Sequence, residues 1–173
     1  MLTRPIASVL LTFFVAVSGP VWSSDTDMAK SYTELLAKSY AELFAPVQGA
    51  GAGKALHLIK PDAFLDKVKA KEPLVVLDVR TPAETDVYGV TLPGALMIPI
   101  NELFTPANLA RIPTDKTVVV LCLSGTRATA AGTALRHIGF ENVYILKGGY
   151  KALVAYLDPK KANTPLEPAT PKK

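Results

Sequence analysis

The sequence is poor in cysteine and histidine, and its apolar residues form no stretch long enough to span a bilayer. It has one cysteine, Cys122, and two histidines among 173 residues, so no disulfide can form within the chain. Its one long apolar stretch, residues 6–17, has about twelve residues, whereas a bilayer requires roughly 20. No His, Cys and acidic residues have metal-ligand spacing, and no glycine-rich phosphate loop is present. We therefore expect no metal, no cofactor and no stable membrane span in the mature protein.

The first 23 residues have the pattern of a secretory signal. Arg4 precedes the apolar stretch, and small residues follow up to Ser23, after which we expect cleavage. No cysteine lies in this region to be acylated, which argues against a lipoprotein anchor. An uncleaved N-terminal anchor is the alternative. The pattern predicts a periplasmic or secreted protein.

The lone cysteine has two interpretations in an exported protein. The compartment outside the cytosol is oxidising, so exported proteins often pair their cysteines. An unpaired thiol there is prone to intermolecular disulfides unless it is deeply buried or used in chemistry. Cys122 fits a small buried apolar side chain as well as a reactive thiol until its surroundings are considered.

The charge of the chain gives no support to a nucleic-acid partner. The net charge is +4, and removal of residues 1–23, in which Arg4 is the one charged residue, lowers it to +3. Much of this excess lies in residues 159–173, where prolines and lysines predict a disordered tail. The rest of the mature chain is long enough for one domain with a single core.

Residues 24–54 predict an amphipathic helix followed by a linker. The tandem repeat KSYTELLA, KSYAELFA places apolar side chains every four residues from Tyr32 to Phe44, which is the spacing of one helical face. The segment APVQGAGAGK then breaks the pattern. Packing of this helix on the domain is one interpretation, and a homodimer or a partner contact through it is the other.

From residue 55 onward, short apolar runs alternate with helical patterns. The runs that predict strands are ALHLI, PLVVLDV, GALMIP, TVVVLC and NVYILKGG. Their alternation with helices predicts an α/β domain with a mostly parallel five-stranded sheet and helices on both faces. Ligands bind beyond the carboxyl ends of the strands in such sheets. Cys122 lies at that end of TVVVLC, which favours a reactive thiol.

The loop that follows Cys122 has the composition of an anion-binding cup. Gly125 permits a tight turn, Ser124 and Thr126 are small, and a helix begins where the loop closes. We expect successive backbone N–H groups and the helix N-terminus to face the sulfur and to stabilise its thiolate. Two roles fit Arg127: guiding an anionic substrate, or supporting the loop from outside.

Four motifs within residues 55–158 resemble those of a rhodanese domain, the sulfurtransferase family. They are LDVRTPAE, LPGALMIP, CLSGTRA and GFENVYILKGGY, in that order. The resemblance implies that Cys122 accepts a sulfane sulfur as a persulfide. The implied donor is thiosulfate, a polysulfide or a persulfide, and the implied acceptor is a thiol or cyanide, as in a thiosulfate:cyanide sulfurtransferase. Substrate binding is then expected at the loop residues Leu123, Ser124, Gly125, Thr126 and Arg127.

The sequence departs from the family's pattern around the predicted site. Many thiosulfate-using relatives have a basic residue directly after the cysteine, where this chain has Leu123. The usual GHIPGA appears as VTLPGA, so that Val90 and Thr91 replace glycine and histidine. Asp78 and Arg80, at a predicted strand end, either orient the loop electrostatically or form a structural ion pair. His57 and His137 are distant from the loop in sequence and receive no acid–base role.

Two other functions fit parts of the pattern. A phosphatase of related fold also has a cysteine and an arginine around an anion cup, but it needs five residues between them, and here four intervene, Leu123 to Thr126. A non-catalytic sulfur carrier, or a module that binds or senses a partner through the N-terminal helix, is the second alternative.

Overall fold

The computed structural model describes residues 25–166, and the predicted signal, residues 1–23, lies outside them. The chain divides into two units, residues 1–38 and residues 39–173. Helix α1, Asp25–Phe44, begins in the first unit and ends in the second. The predicted N-terminal helix is therefore confirmed. None of the helices in the described part of the chain is both long and apolar enough to cross a bilayer.

A single parallel sheet forms the centre of the second unit. Its strands are β1 (Leu58–Ile59), β2 (Leu74–Asp78), β3 (Leu96–Met97), β4 (Thr117–Leu121) and β5 (Val143–Leu146). They lie in the order β1-β5-β4-β2-β3, and every pairing is parallel. The predicted five-stranded parallel sheet is confirmed, and its middle strand, β4, is the one that leads into Cys122.

Helices precede, connect and follow the strands, and several begin with a residue that caps the backbone. They are α2 (Ala52–Ala55), α3 (Pro61–Lys69), α4 (Pro82–Val87), α5 (Pro106–Leu109), α6 (Thr126–His137), α7 (Gly149–Tyr156) and α8 (Pro159–Asn163). The side chains of Thr81, Thr105 and Asp158 each accept a backbone N–H of the following helix, and a proline stands next in each case. This combination satisfies orphan donors and fixes the first helical φ angle.

The core consists of two apolar layers, one on each face of the sheet. Alternate residues of β4 enter opposite layers: Val118 and Val120 join the layer that contains Leu135 of α6, while Val119 and Leu121 join the other. Phe64 of α3 and Leu153 of α7 are buried in that second layer and pack their helices on this face of the sheet. Because successive side chains of a strand point to opposite faces, a continuous apolar run is needed to fill both layers.

The C-terminal segment is more ordered than the sequence suggests. Residues 159–163, placed by composition in a disordered tail, form α8, which Asp158 caps. The ammonium of Lys69 donates to the carbonyl oxygens of Lys161 and Thr164, which ties this segment to α3. Composition missed the helix because an Asp-Pro start is a local signal inside a Pro/Lys-rich stretch. Residues 167–173 of the predicted tail lie outside the described part.

Both histidines make contacts remote from the cysteine loop. The ring of His137 stacks on Tyr40, with ring centroids 3.9 Å apart, and its Nε2 lies 3.3 Å from the hydroxyl of Ser39. His57 hydrogen-bonds the carbonyl of Val143 at 3.1 Å. These three contacts lie within the second unit. The dimer or partner contact through α1 stays a prediction.

Candidate active site

Cys122 is the first residue after the middle strand of the sheet, and its sulfur accepts two backbone N–H groups. The donors are Gly125, at 3.2 Å, and Ala128, at 3.4 Å. Gly125 has φ of +95° and precedes the first turn of α6, so the loop closes tightly around the sulfur. Cys122 is 1% exposed. Converging N–H donors at a helix N-terminus stabilise negative charge on the sulfur, which is the reactive form of a thiol.

The first turn of α7 supports the cysteine loop from behind. The N–H of Tyr150 donates to the carbonyl of Cys122 at 2.7 Å, and the N–H of Lys151 donates to the carbonyl of Leu123 at 3.0 Å. Gly149 has φ of +61°, and a Cβ built on it would lie 2.6 Å from the nitrogen of Gly125. The loop and this turn therefore approach more closely than a side chain at position 149 permits, and the turn holds the backbone of the nucleophile in place.

Arg127 supports the loop through a carboxylate. Its Nη1 and Nη2 each donate to one oxygen of Glu84 at 2.7 Å, and this bidentate pair is among the stronger side-chain interactions. Glu84 also accepts the backbone N–H of Thr81 at 3.0 Å, as part of a capping box at the start of α4. Of the two roles that fit Arg127, the geometry favours support of the loop, because both donors already have a partner.

The interaction between Glu84 and Arg127 shifts the pKa values of both side chains. Hydrogen bonds from Arg127, with a smaller contribution from Thr81, lower the pKa of Glu84 from its ordinary value of 4.5 to about 2. The Glu84 carboxylate raises the pKa of Arg127, burial opposes this, and Cys122 adds a smaller upward contribution. The pair therefore stays fully charged at neutral pH.

We expect this pair to give the protein a specific acid sensitivity. Because the pKa of Glu84 is depressed in the folded state, its stabilisation is present above pH 4.5 and is lost as the pH falls from 4.5 toward 2. The Glu84→Gln variant keeps the cap at Thr81 but should lose this part of the pH dependence, on the order of 1 kcal/mol for a partly exposed pair. Chemical denaturation across this pH range measures it. Arg127→Gln should flatten most of the profile, because only the smaller contribution of Thr81 to the Glu84 pKa remains, and a wild-type profile in that variant would contradict the assignment.

Ser124 and Thr126 lie on the outer side of the loop. Both residues are exposed, and their hydroxyls are 3.3 Å apart. Leu123 is half-buried and follows the cysteine directly. The structure thus brings together all five loop positions that the sequence singles out, with backbone groups rather than hydroxyls facing the sulfur.

Asp78 and Arg80 form a buried ion pair at the end of β2. The Arg80 Nη2 donates to Asp78 at 2.7 Å, and both side chains are buried. Hydrogen bonding by Asp78 raises the pKa of Arg80, against the effect of burial. The guanidinium also packs against the rings of Tyr88 and Tyr150, 4.9 and 4.7 Å from their centroids. The ion pair therefore holds the rings of Tyr88 and Tyr150 in place, and Tyr150 directly follows Gly149 in the chain.

Sequence reasoning missed Glu84, Gly149 and Tyr88 as residues of the site. Glu84 could have been found, because a threonine followed three residues later by a glutamate is a capping-box pattern. Gly149, the second of the two glycines before Tyr150, stands out in the sequence, but its contact with the cysteine loop depends on the tertiary fold. Tyr88 had no local signal. In the described residues, no cluster of three or more His, Cys, Asp and Glu side chains could hold a metal.

Comparisons with known proteins agree with this architecture. A model of the rhodanese-like domain matches residues 60–156. A sulfurtransferase of Allochromatium vinosum is 32% identical over 91 residues, which cover 53% of this chain and 81% of that protein. The human single-domain sulfurtransferase TSTD1 has a similar structure, with a TM-score of 0.50 at 23% identity over 59% of this chain and 98% of that one. This last likeness supports the fold.

A longer relative shares only this domain. The probable adenylyltransferase/sulfurtransferase MoeZ of Mycobacterium tuberculosis is 33% identical over 101 residues, which cover 58% of this chain but 25% of that protein. The similarity therefore concerns one domain of MoeZ. Given the parallel sheet, the cysteine loop and the match over more than half of its length, the chain belongs to the rhodanese-like domain family.

Proposed function

We propose that this protein is a sulfurtransferase that carries sulfane sulfur as a persulfide on Cys122. The observation that supports the proposal most directly is the pair of N–H donors, from Gly125 and Ala128, on the cysteine sulfur. The same donors that stabilise a thiolate also suit the terminal sulfur of a persulfide, which is likewise anionic. The relatives named as sulfurtransferases support the same assignment.

In the proposed reaction, the Cys122 thiolate attacks the outer sulfur of a donor. The bond between that sulfur and the rest of the donor breaks, and its electron pair leaves with sulfite from thiosulfate or with a thiolate from a persulfide. The outer sulfur stays on Cys122. A thiol or cyanide then attacks this sulfur, and the Cys122 thiolate leaves. The sulfur changes partners twice, so neither an oxidant nor a reductant is required.

Mass spectrometry of the intact protein tests the proposal. After incubation with thiosulfate or polysulfide, Cys122 should gain the mass of one sulfur atom, and addition of cyanide should remove it with formation of thiocyanate. A persulfide that forms but is not passed to any acceptor would support the sulfur-carrier alternative. If no donor adds sulfur to Cys122, the proposed function is wrong.

We expect Leu123 to disfavour thiosulfate as a donor. Leu123 places an apolar side chain beside the nucleophile, where a cation would attract a dianion over several ångströms. Leu123→Arg should raise kcat/KM for thiosulfate by roughly tenfold, since one partly screened charge contact contributes on the order of 1 kcal/mol. The gain should shrink as salt rises. Steady-state kinetics at two ionic strengths measure it, and an equal effect on an uncharged donor would contradict an electrostatic cause.

We further propose that the protein acts outside the cytosol. The support is the sequence pattern of residues 1–23 alone. The mature protein isolated from its native source should begin near Ser24 and occur in the soluble periplasmic or secreted fraction. N-terminal mass analysis measures this, and a cytosolic protein that retains Met1 would contradict the proposal.

A further inference from the structure

A groove of about 520 Å³ opens beside the cysteine loop. Such a volume falls in the range of about 300–1,000 Å³ that organic ligands occupy, and it exceeds what a small inorganic anion fills. Leu123, directly after the nucleophile, forms one wall, and Tyr150, which donates its N–H to the Cys122 carbonyl, forms another. The groove is lined by Tyr88, Leu123, Tyr150, Lys151, Val154 and Ala155.

The groove is apolar and already formed. Tyr88 is 42% and Val154 is 52% exposed, so large apolar side chains face solvent next to the proposed site. The rings of Tyr88 and Tyr150 contact each other, with centroids 5.0 Å apart, and both pack against the buried Arg80. Because Arg80 fixes both rings, an apolar ligand would not need to order this wall on binding.

The charges around the groove suit a monoanion. Lys151 is the cation in its lining, and no carboxylate lines it. Within the described residues, the Lys151 ammonium has no carboxylate partner within 4.0 Å. Arg127, the cation of the cysteine loop, is already paired with Glu84. One available positive charge beside an apolar surface complements a ligand with one negative charge and an apolar substituent.

We propose that this groove, which we call the donor groove, binds the organic substituent of a monoanionic sulfane-sulfur donor. The substituent lies against Tyr88, Leu123 and Val154 while the outer sulfur enters the Cys122 loop. An organic persulfide or a thiosulfonate has this chemistry. The Cys122 thiolate takes the outer sulfur, the sulfur–sulfur bond breaks, and its electron pair leaves as the thiolate or the sulfinate. This inference rests on the proposed function, because it assigns a substrate class to the same cysteine.

Two thiosulfonates isolate the contribution of the groove. Methanethiosulfonate and benzenethiosulfonate have the same charge and transfer the same sulfur, but only the second carries a ring. We expect Tyr88→Ala to lower the ratio of their kcat/KM values, benzene over methane, by about tenfold, because a ring–ring contact and its buried area are lost. Phe104→Ala is the matched control, since Phe104 is also 42% exposed and does not line the groove; it should keep the wild-type ratio.

A second pair of variants avoids disturbing Arg80. Val154→Ser should lower the same ratio by about threefold through lost apolar contact. Ile138→Ser, at a residue that is 51% exposed and lies away from the groove, should leave it unchanged. If neither Tyr88→Ala nor Val154→Ser changes the ratio, the proposal is overturned, and the exposed apolar surface is left for a protein partner.

Binding without transfer separates this inference from the proposed function. Benzenesulfonate has the ring and the single charge but no sulfane sulfur. In amide NMR spectra it should shift the signals of Leu123, Tyr150 and Val154, and Val154→Ser should weaken those shifts. Shifts without any persulfide from either thiosulfonate would support the groove and refute the sulfurtransferase. If both thiosulfonates form a persulfide on Cys122 but benzenesulfonate shifts no signal at the groove, the sulfurtransferase would be supported and the donor groove refuted.

Discussion

Replacement of Cys122 by serine should abolish sulfur transfer while the protein stays folded. The reaction requires a nucleophile that attacks as a thiolate and that can hold a second sulfur, and a serine hydroxyl meets neither condition. We expect the rate of thiocyanate formation to fall by at least about a thousandfold. The same variant should gain no sulfur in the mass spectrum.

The folded state should change little in Cys122→Ser. The serine oxygen can accept the two N–H groups, from Gly125 and Ala128, that the sulfur accepts. The free energy of unfolding should therefore fall by only about 1 kcal/mol, the usual contribution of one buried hydrogen-bonding difference. Circular dichroism and a denaturant titration check this. A folded serine variant with undiminished transfer would sink the proposed mechanism.

The sheet was predictable because burial on both faces leaves a strong trace in the sequence. Parallel strands that are covered on both sides need apolar residues on both faces, so β2, β4 and β5 appear as nearly continuous runs of Val, Ile and Leu. The place of Cys122 followed from the rule that sites lie beyond the carboxyl ends of such strands. The helix after Gly125 followed from local composition.

The interactions that hold the cysteine loop in place were harder to predict, because they join residues that are far apart in the sequence. Glu84 and Arg127 are 43 positions apart, and no local pattern pairs them. The contact of Tyr150 with Cys122, and the stacking of Tyr88 on Arg80, likewise depend on how β5 and α4 are placed beside the loop. The helix at residues 159–163 was missed for the opposite reason. The average composition of the tail predicts disorder, and it outweighed the local signal of one capping residue, Asp158.

The close approach of Gly149 to the cysteine loop leads to the second large expected effect. In Gly149→Ala, the new Cβ would meet the carbonyl oxygen of Cys122 and lie 2.6 Å from the nitrogen of Gly125. These contacts are with backbone, so the loop itself must move. A displacement of about 1 Å at a reacting group costs about 100-fold in rate, and we expect a loss of this size in sulfur transfer.

The same substitution should also destabilise the protein. Alanine is strained at φ of +61°, and the clash adds to this strain, so we expect the free energy of unfolding to fall by about 2–4 kcal/mol. Denaturant titration measures the stability, and kinetics on the folded fraction measure the activity. Amide NMR should show the largest shifts at Gly125 and at Ala128, the two donors to the sulfur.

The Gly94→Ala variant is the control that separates backbone strain from the steric clash expected in Gly149→Ala. Gly94 has φ of +76°, close to that of Gly149, but a Cβ built there has no neighbour within 4 Å. Alanine at this position should lower the free energy of unfolding by about 1–2 kcal/mol through strain alone, with transfer per folded molecule unchanged. If both variants lose activity equally, or if Gly149→Ala keeps it, then the first turn of α7 does not position the nucleophile. A loss confined to Gly149→Ala means that this turn holds Cys122 in its reactive geometry, because the two variants differ in the contact and not in the strain.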